Sequence, residues 1–357
     1  MSDGSSRRTF LQTGGAALLC TIGGQQLTLS KPGDAKLADA AARNVPKPKG
    51  SAAAASKDLV DQMQFATPEP QPGGRVVEYW LQVRTVRWTI VPTRRDDWHD
   101  IAIPGSSTFT AFVYQLMTPG FAAPAGPAAI PGPTLTAEVG DTLVVHVRNA
   151  LPDRLAQAIT LHPHAVKYNP EYDGVYLGKY TRAGGFIGPG EEFTYTYECV
   201  PESVGAWPYH DHGPNHTLNT QRGLFGSIII REKGAPRPDN ESVLFLHHFT
   251  PPITGLRRAF QCINGRAYSG NTPTIRAKVG QDVAIHVIGM DDNFHDFHMH
   301  GHRWKDSAGV ETDNPTVGPN QSITVRFLED NPGRWLYHCH VFSHQDGGMA
   351  GWYLVDR

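Results

Sequence analysis

The sequence predicts an all-β protein built from two Greek-key sandwiches, and three observations carry that reading. The first is composition: 37 glycines and 28 prolines accompany 39% hydrophobic residues, which suits short strands divided by tight turns. The second is spacing, because strand-length runs bounded by Gly and Pro recur from residue 76 onward. The third is repetition. Thr134-Leu135-Thr136-Ala137-Glu138-Val139, a Gly140-Asp141 turn and Thr142-Leu143-Val144-Val145-His146-Val147 match a second set of strands. That set is Thr274-Ile275-Arg276-Ala277-Lys278-Val279, a Gly280-Gln281-Asp282 turn and Val283-Ala284-Ile285-His286-Val287. A repeat on this scale is a duplicated domain, not a solenoid unit. The 357 residues suffice for two cores.

Taken in order, residues 1–24 carry Ser5-Ser6-Arg7-Arg8-Thr9-Phe10-Leu11 and then a weakly apolar stretch, resembling a twin-arginine export signal. Export to the periplasm, cell surface or medium is expected. Residues 25–74 are rich in Ala, Pro and Lys with little to bury, which predicts a disordered spacer. Residues 75–233 form the expected first sandwich, opening on the alternation Val76-Val77-Glu78-Tyr79-Trp80-Leu81. Residues 234–357 form the second. A net charge of -2 leaves no electrostatic footprint for nucleic acid. No apolar run approaches the ~20 residues of a membrane-spanning helix. Of the four cysteines, Cys20 sits in the leader and Cys339 is assigned to metal. Cys199 and Cys262 either pair or remain buried thiols, and Cα separation decides between the two.

The chain has 17 histidines, and they are clustered. The motifs are His162-Pro163-His164, His210-Asp211-His212, His295-x-x-His298-x-His300 and His338-Cys339-His340. On a strand, an i, i+2 pair projects from one face. His338 and His340 thus face one way and Cys339 the other, so one tripeptide serves two metal centres. His344 lies five residues beyond Cys339, and Met349 five beyond that. With a second His from elsewhere, for which His295 is the best candidate, these are the donors of a blue-copper site. Eight histidines remain in four pairs, which suits three further coppers: two with three His each, one with two plus water. Structural zinc would close on one local tetrahedron and leave most of them unexplained. Asp211 stands where the last motif has Cys339, and a carboxylate cannot replace a thiolate. The first sandwich should therefore lack a blue site.

Thr160-Leu161-His162-Pro163-His164, Tyr209-His210-Asp211-His212, residues 295–304 and the C-terminal motif together resemble the laccase-type multicopper oxidases. The likeness is to the two-domain kind, the small laccases, and covers residues 76–357. It implies cupredoxin-like domains and four coppers per chain. It implies type 1 copper on His295, Cys339 and His344 with Met349 axial, and type 2 copper on His162 and His298. One type 3 copper would take His164, His210 and His340, the other His212, His300 and His338. Asp173 and Tyr168 match residues that serve the cluster, Asp173 as a proton relay. The implied reaction is one-electron oxidation of phenolic or similar donors, coupled to four-electron reduction of dioxygen to water. Family precedent also implies a homotrimer with the three-copper site between protomers. Ala165 departs from the family, which has Gly after its first His-x-His.

Seven histidines fall outside this scheme: His99, His146, His216, His247, His248, His286 and His302. His146 and His286 occupy equivalent strand positions and read as packing or surface residues, while His302 would support a ligand from behind. His216 reads as lining an access path. A metallo-oxidase acting on Cu(I), Fe(II) or Mn(II) is the alternative, although six methionines count against a cuprous specialist. A copper nitrite reductase would want the Cys motif in its first domain. An electron carrier or copper store would leave four His pairs unused.

Overall fold

The computed structural model describes residues 72–357, Pro68 and two short strands near the N-terminus, Leu18–Ile22 and Gln25–Leu29, which pair antiparallel. The rest of the expected leader and spacer, Arg7 and Arg8 included, lies outside the described residues.

Strands dominate, as the turn-rich composition requires, and they stack into two sandwiches. In the first, Val76–Thr89 pairs antiparallel with Thr108–Met117 and parallel with Thr142–Asn149, whose far edge takes Glu192–Glu198. The facing sheet runs Leu135–Glu138, Phe225–Arg231, Gly205–His210, His162–Pro163. The second sandwich repeats the plan. One sheet runs Phe260–Ile263, Asn240–Phe249, Asp282–Gly289, Ser322–Leu328. The other runs Ile275–Lys278, Ala350–Asp356, Gly333–Cys339, His295–Met299, Thr316–Val317. Each of these four sheets mixes one parallel pairing with antiparallel ones, because the chain crosses between sheets.

Each sandwich has its own core, and a third apolar cluster joins them. Trp88, Phe109 and Phe225 of the first domain pack there with Phe245, Phe249 and Phe260 of the second. Trp88 Nε1 also donates to the Gly265 carbonyl at 2.6 Å. This junction explains a departure from strict alternation. Thr142–Asn149 alternates along most of its length, but Asp282–Gly289 is buried almost throughout. Its second face, with Ile288, lies under the junction. Cys199 and Cys262 are free, buried thiols, the first in the first-domain core and the second at the junction. Burial pushes the Cys199 thiol up to about 12.

A tyrosine anchors one ligand-bearing strand in each domain. Tyr209 donates to the Pro133 carbonyl at 2.8 Å and Tyr337 to the Pro273 carbonyl at 2.5 Å. Each ring covers a glycine of the neighbouring strand, Gly226 and Gly351, where a Cβ would strike the ring. The next residues along are His210 and His338.

Candidate metal centres

One centre lies inside the second sandwich. His295 opens its strand, and Cys339 closes the neighbouring one with Phe297 opposite it. His344 comes from the single-turn helix Phe342–Asp346, after which Gly347 and Gly348 turn the chain back. Gly348 has φ of 115°, and a Cβ there would meet the Ala267 side chain and the Tyr268 nitrogen at 2.9 Å. The turn lets Met349 donate its N–H to the His344 carbonyl at 3.0 Å while its own carbonyl accepts from Cys339 at 3.0 Å. Cys339 Sγ then lies 3.6 Å from His344 Nδ1 and 3.9 Å from His295 Nδ1. Met349 is fully buried in the same cluster.

The electrostatics favour a thiolate. Burial alone would raise the Cys339 thiol, but hydrogen bonds from His295 and His344 bring it down to about 6. Burial likewise opposes charge on His295, yet Asp291 and Cys339 hold it up to about 9. Asp291 Oδ1 sits 3.0 Å from His295 Nε2 and fixes which nitrogen faces the sulfur. A thiolate, two imidazoles and a nearby thioether fit copper of the blue type.

The other histidines form two separate quartets. In the first domain His162 has ring contacts with His164, His210 and His212 at 5.2 to 5.4 Å. In the second domain His298 has them with His300, His338 and His340 at 5.1 to 5.4 Å. Within each quartet one pair of Nε2 atoms lies 3.2 Å apart: His164 with His210, and His300 with His338. In each quartet two Nδ1–H groups are occupied elsewhere. His162 donates to the Asp173 carbonyl, His298 to Asp313, His210 to Asp211 and His338 to Cys339, all within 2.9 Å. Each Nε2 of these four therefore presents a lone pair inward, the tautomer a metal ligand needs. Burial, then neighbouring imidazoles, lowers His164 to about 4 and His338 to about 4, so both stay neutral near pH 7. The donor set fits copper.

The quartets do not meet within the chain. Among the described residues, no metal-sized group combines histidines from both. His164 and His210 are together without His340, and His300 and His338 without His212. His162 and His298 are likewise apart. Asp173 lies beside the first quartet, its Oδ1 3.3 Å from His162 Nδ1. Tyr168 lies 6.2 Å from the His162 ring; burial, then Asp173, raises its phenol to about 12.

Asp211 takes the place of Cys339 and is fully buried, accepting from Thr160 N at 2.6 Å and Asn219 Nδ2 at 3.0 Å. Burial pushes it up to about 6. Sequence reading missed that His216 follows Asp211 by five residues, the spacing of His344 after Cys339. The ring stacks on His212 at 4.5 Å. Asp291, four before His295, was also missed, as was Trp98, whose ring lies 6.2 Å from His338 across the domain junction. A contact across 240 residues leaves no local signal. His302 Nδ1 donates to the His300 carbonyl at 2.8 Å, supporting that ligand from behind. His146 stacks on Trp80 at 4.4 Å as a packing residue, and His286 bonds Thr324 and Glu241.

Paired sandwiches with one sulfur centre and two histidine quartets define a copper protein of the cupredoxin architecture. Residues 127–235 and 238–357 each match a family profile described as multicopper oxidase. The chain belongs to the multicopper oxidase family, in a two-domain form. It is 30% identical over 246 residues to a probable nitrite reductase-hydroxylamine oxidoreductase fusion protein of Kuenenia stuttgartiensis, covering 64% of this chain and 28% of that protein. It is 28% identical over 274 residues to human ferroxidase HEPHL1, covering 63% and 23%. The chain thus spans about a quarter of the length of these relatives. A crystal structure of a multicopper oxidase superposes with a TM-score of 0.63 at 24% identity, covering 81% of this chain and 92% of that one. Blue copper oxidase from Nitrosomonas europaea follows at 0.61 and 23%, covering 79% and 86%.

Proposed function

We propose that this copper oxidoreductase is a laccase-type enzyme that takes single electrons from phenolic or similar donors and reduces dioxygen to two waters. The observation that carries the reading is the strand end His338-Cys339-His340, whose sulfur faces one centre and whose imidazoles face another. When bound, copper supplies one-electron acceptance at the sulfur centre and dioxygen reduction at the cluster. The chain supplies the wiring. Cys339 is bonded through the backbone to both histidines, and its carbonyl also accepts from His338 Nδ1 at 2.9 Å. His344, slightly exposed where His295 is sealed, offers the donor an edge. Asp173, with Tyr168 beside it, is placed to hand protons toward His162. Asp173→Asn should slow oxygen reduction by about 10²-fold with the blue band intact; unchanged turnover removes it from the mechanism.

The separated quartets support a homotrimer in which the first domain of one protomer faces the second domain of the next. His300 and His340 are exposed, and Phe342 beside His340 is 70% exposed, as a surface awaiting a partner would be. Each facing pair would complete three coppers, four per chain with the blue one. Export through the twin-arginine-type leader belongs to the same reading. Copper analysis with oxygen uptake tests it. Four coppers per chain and one dioxygen consumed per four electrons from a phenol are expected, and hydrogen peroxide as the product would overturn it.

A second reading, a metal-ion donor, has one specific support. His248 Nδ1 lies 3.0 Å from Asp291 Oδ2, and His248 Nε2 lies 3.6 Å from Asp292 Oδ1. These three could hold a divalent ion one hydrogen bond from His295. Asp292→Asn should then lower turnover with Fe(II) or Mn(II) and spare turnover with a phenol. Equal turnover of Fe(II) by both proteins rejects the metal route.

A further inference from the structure

One cavity lies away from the copper ligands and is lined by both domains. Its volume is about 980 Å³, at the upper end of what small-molecule sites occupy. Five arginines line it: Arg87, Arg154 and Arg222 from the first domain, Arg257 and Arg258 from the second. Among the described residues, no Asp or Glu lines it. Such a concentration of charge is out of character for a chain of net charge -2.

Several arginines elsewhere in the fold have carboxylate partners, among them Arg75 with Asp141, Arg148 with Glu192 and Arg326 with Asp282. Among the described residues, Arg87, Arg154, Arg257 and Arg258 have none. Arg87 donates to the Thr110 hydroxyl at 3.4 Å, and Arg258 donates to the Tyr268 hydroxyl at 2.9 Å and lies over the Phe260 ring, 4.7 Å from its centroid. Arg258 Nε is a buried donor without a partner among the described residues. Arg222 is 8% exposed and therefore held in place rather than free to swing into solvent. Like charges gathered around one hollow repel each other unless an anion sits among them. The guanidinium fork matches carboxylate and phosphate oxygens two at a time, and the Ser106 hydroxyl, which also lines the cavity, adds a neutral donor.

We propose that this cavity binds a small organic polyanion, one carrying two or more carboxylate or phosphate groups, held between the arginines of both domains. Since both domains contribute charge, the ligand clamps them together. The inference does not depend on which donor the copper centres oxidise.

Calorimetric titration of the full copper-loaded protein tests it, with trimesate and glucose bisphosphate as probes and acetate as the single-charge control. One saturable site per chain is expected for at least one probe, and the tighter of the two identifies the preferred group. The double variant Arg154→Gln/Arg257→Gln alters exposed side chains outside the copper centres and should weaken binding by about tenfold or more. Arg326→Gln, an arginine elsewhere, should leave affinity unchanged. Absence of saturable heat for both probes below about 10 mM overturns the proposal. So does a double variant that binds as tightly as the parent, or acetate binding as tightly as either probe.

Discussion

Cys339 shows how one side chain is set by its neighbours. The sulfur is buried, which alone would keep the thiol protonated, and two imidazoles reverse that preference. Serine in its place keeps the size but offers no soft anion. Cys339→Ser should therefore abolish the blue band and donor oxidation together, read by absorption and oxygen uptake, and a variant at full turnover would sink the assignment. Asp141 makes a second case, structural rather than catalytic. It accepts from Arg75 N at 2.9 Å, Arg75 Nη2 at 2.7 Å and Glu138 N at 3.0 Å. Burial would raise its carboxyl, but these bonds, led by Arg75, hold it below the usual value. A depressed carboxylate stabilises the fold above its unfolded pKa of about 3.9 and loses that contribution as pH falls through the folded value. Asp141→Asn should cost about 1–2 kcal/mol near neutrality, with the gap closing in acid when thermal unfolding is followed against pH.

On the scale of the strand, two devices aim the ligands. Alternation sends His338 and Cys339 to opposite faces, and the tyrosines ahead of His210 and His338 fix their strands against glycine neighbours. Gly351→Ala would drive a methyl into the Tyr337 ring, and the strand carrying His338 would have to shift. About 1–3 kcal/mol of overpacking is expected, with lower copper occupancy at both centres. Copper content and melting temperature check this, and full occupancy would show that the ring can move aside. Alternation also tells where sequence patterning falls short. The pairing of His298 with His300 follows from strand period alone, whereas the burial of both faces of Asp282–Gly289 comes from a domain junction that no local pattern announces.

For the whole molecule the decisive fact is that eight imidazoles lie in two half-sites. Co-expression separates the arrangements. A chain with His164→Ala has a broken first-domain half, and one with His300→Ala a broken second-domain half. If clusters form between protomers, random mixing should restore about a quarter of them, since one interface in four pairs two intact halves. If the cluster forms within one chain, the mixture stays as inactive as either variant alone. Oxygen uptake distinguishes the two outcomes.

Residue types and their spacing determined the all-β class, the duplicated domain and the ligand motifs, because strand period and donor chemistry are local. The replacement of Cys by Asp at 211 was legible for the same reason. Tertiary structure alone decided that Cys199 and Cys262 stay apart and that Trp98 reaches His338. It also decided that five arginines from two domains line one hollow. Those contacts join residues distant in the chain, and only packing of the two sandwiches brings them within reach.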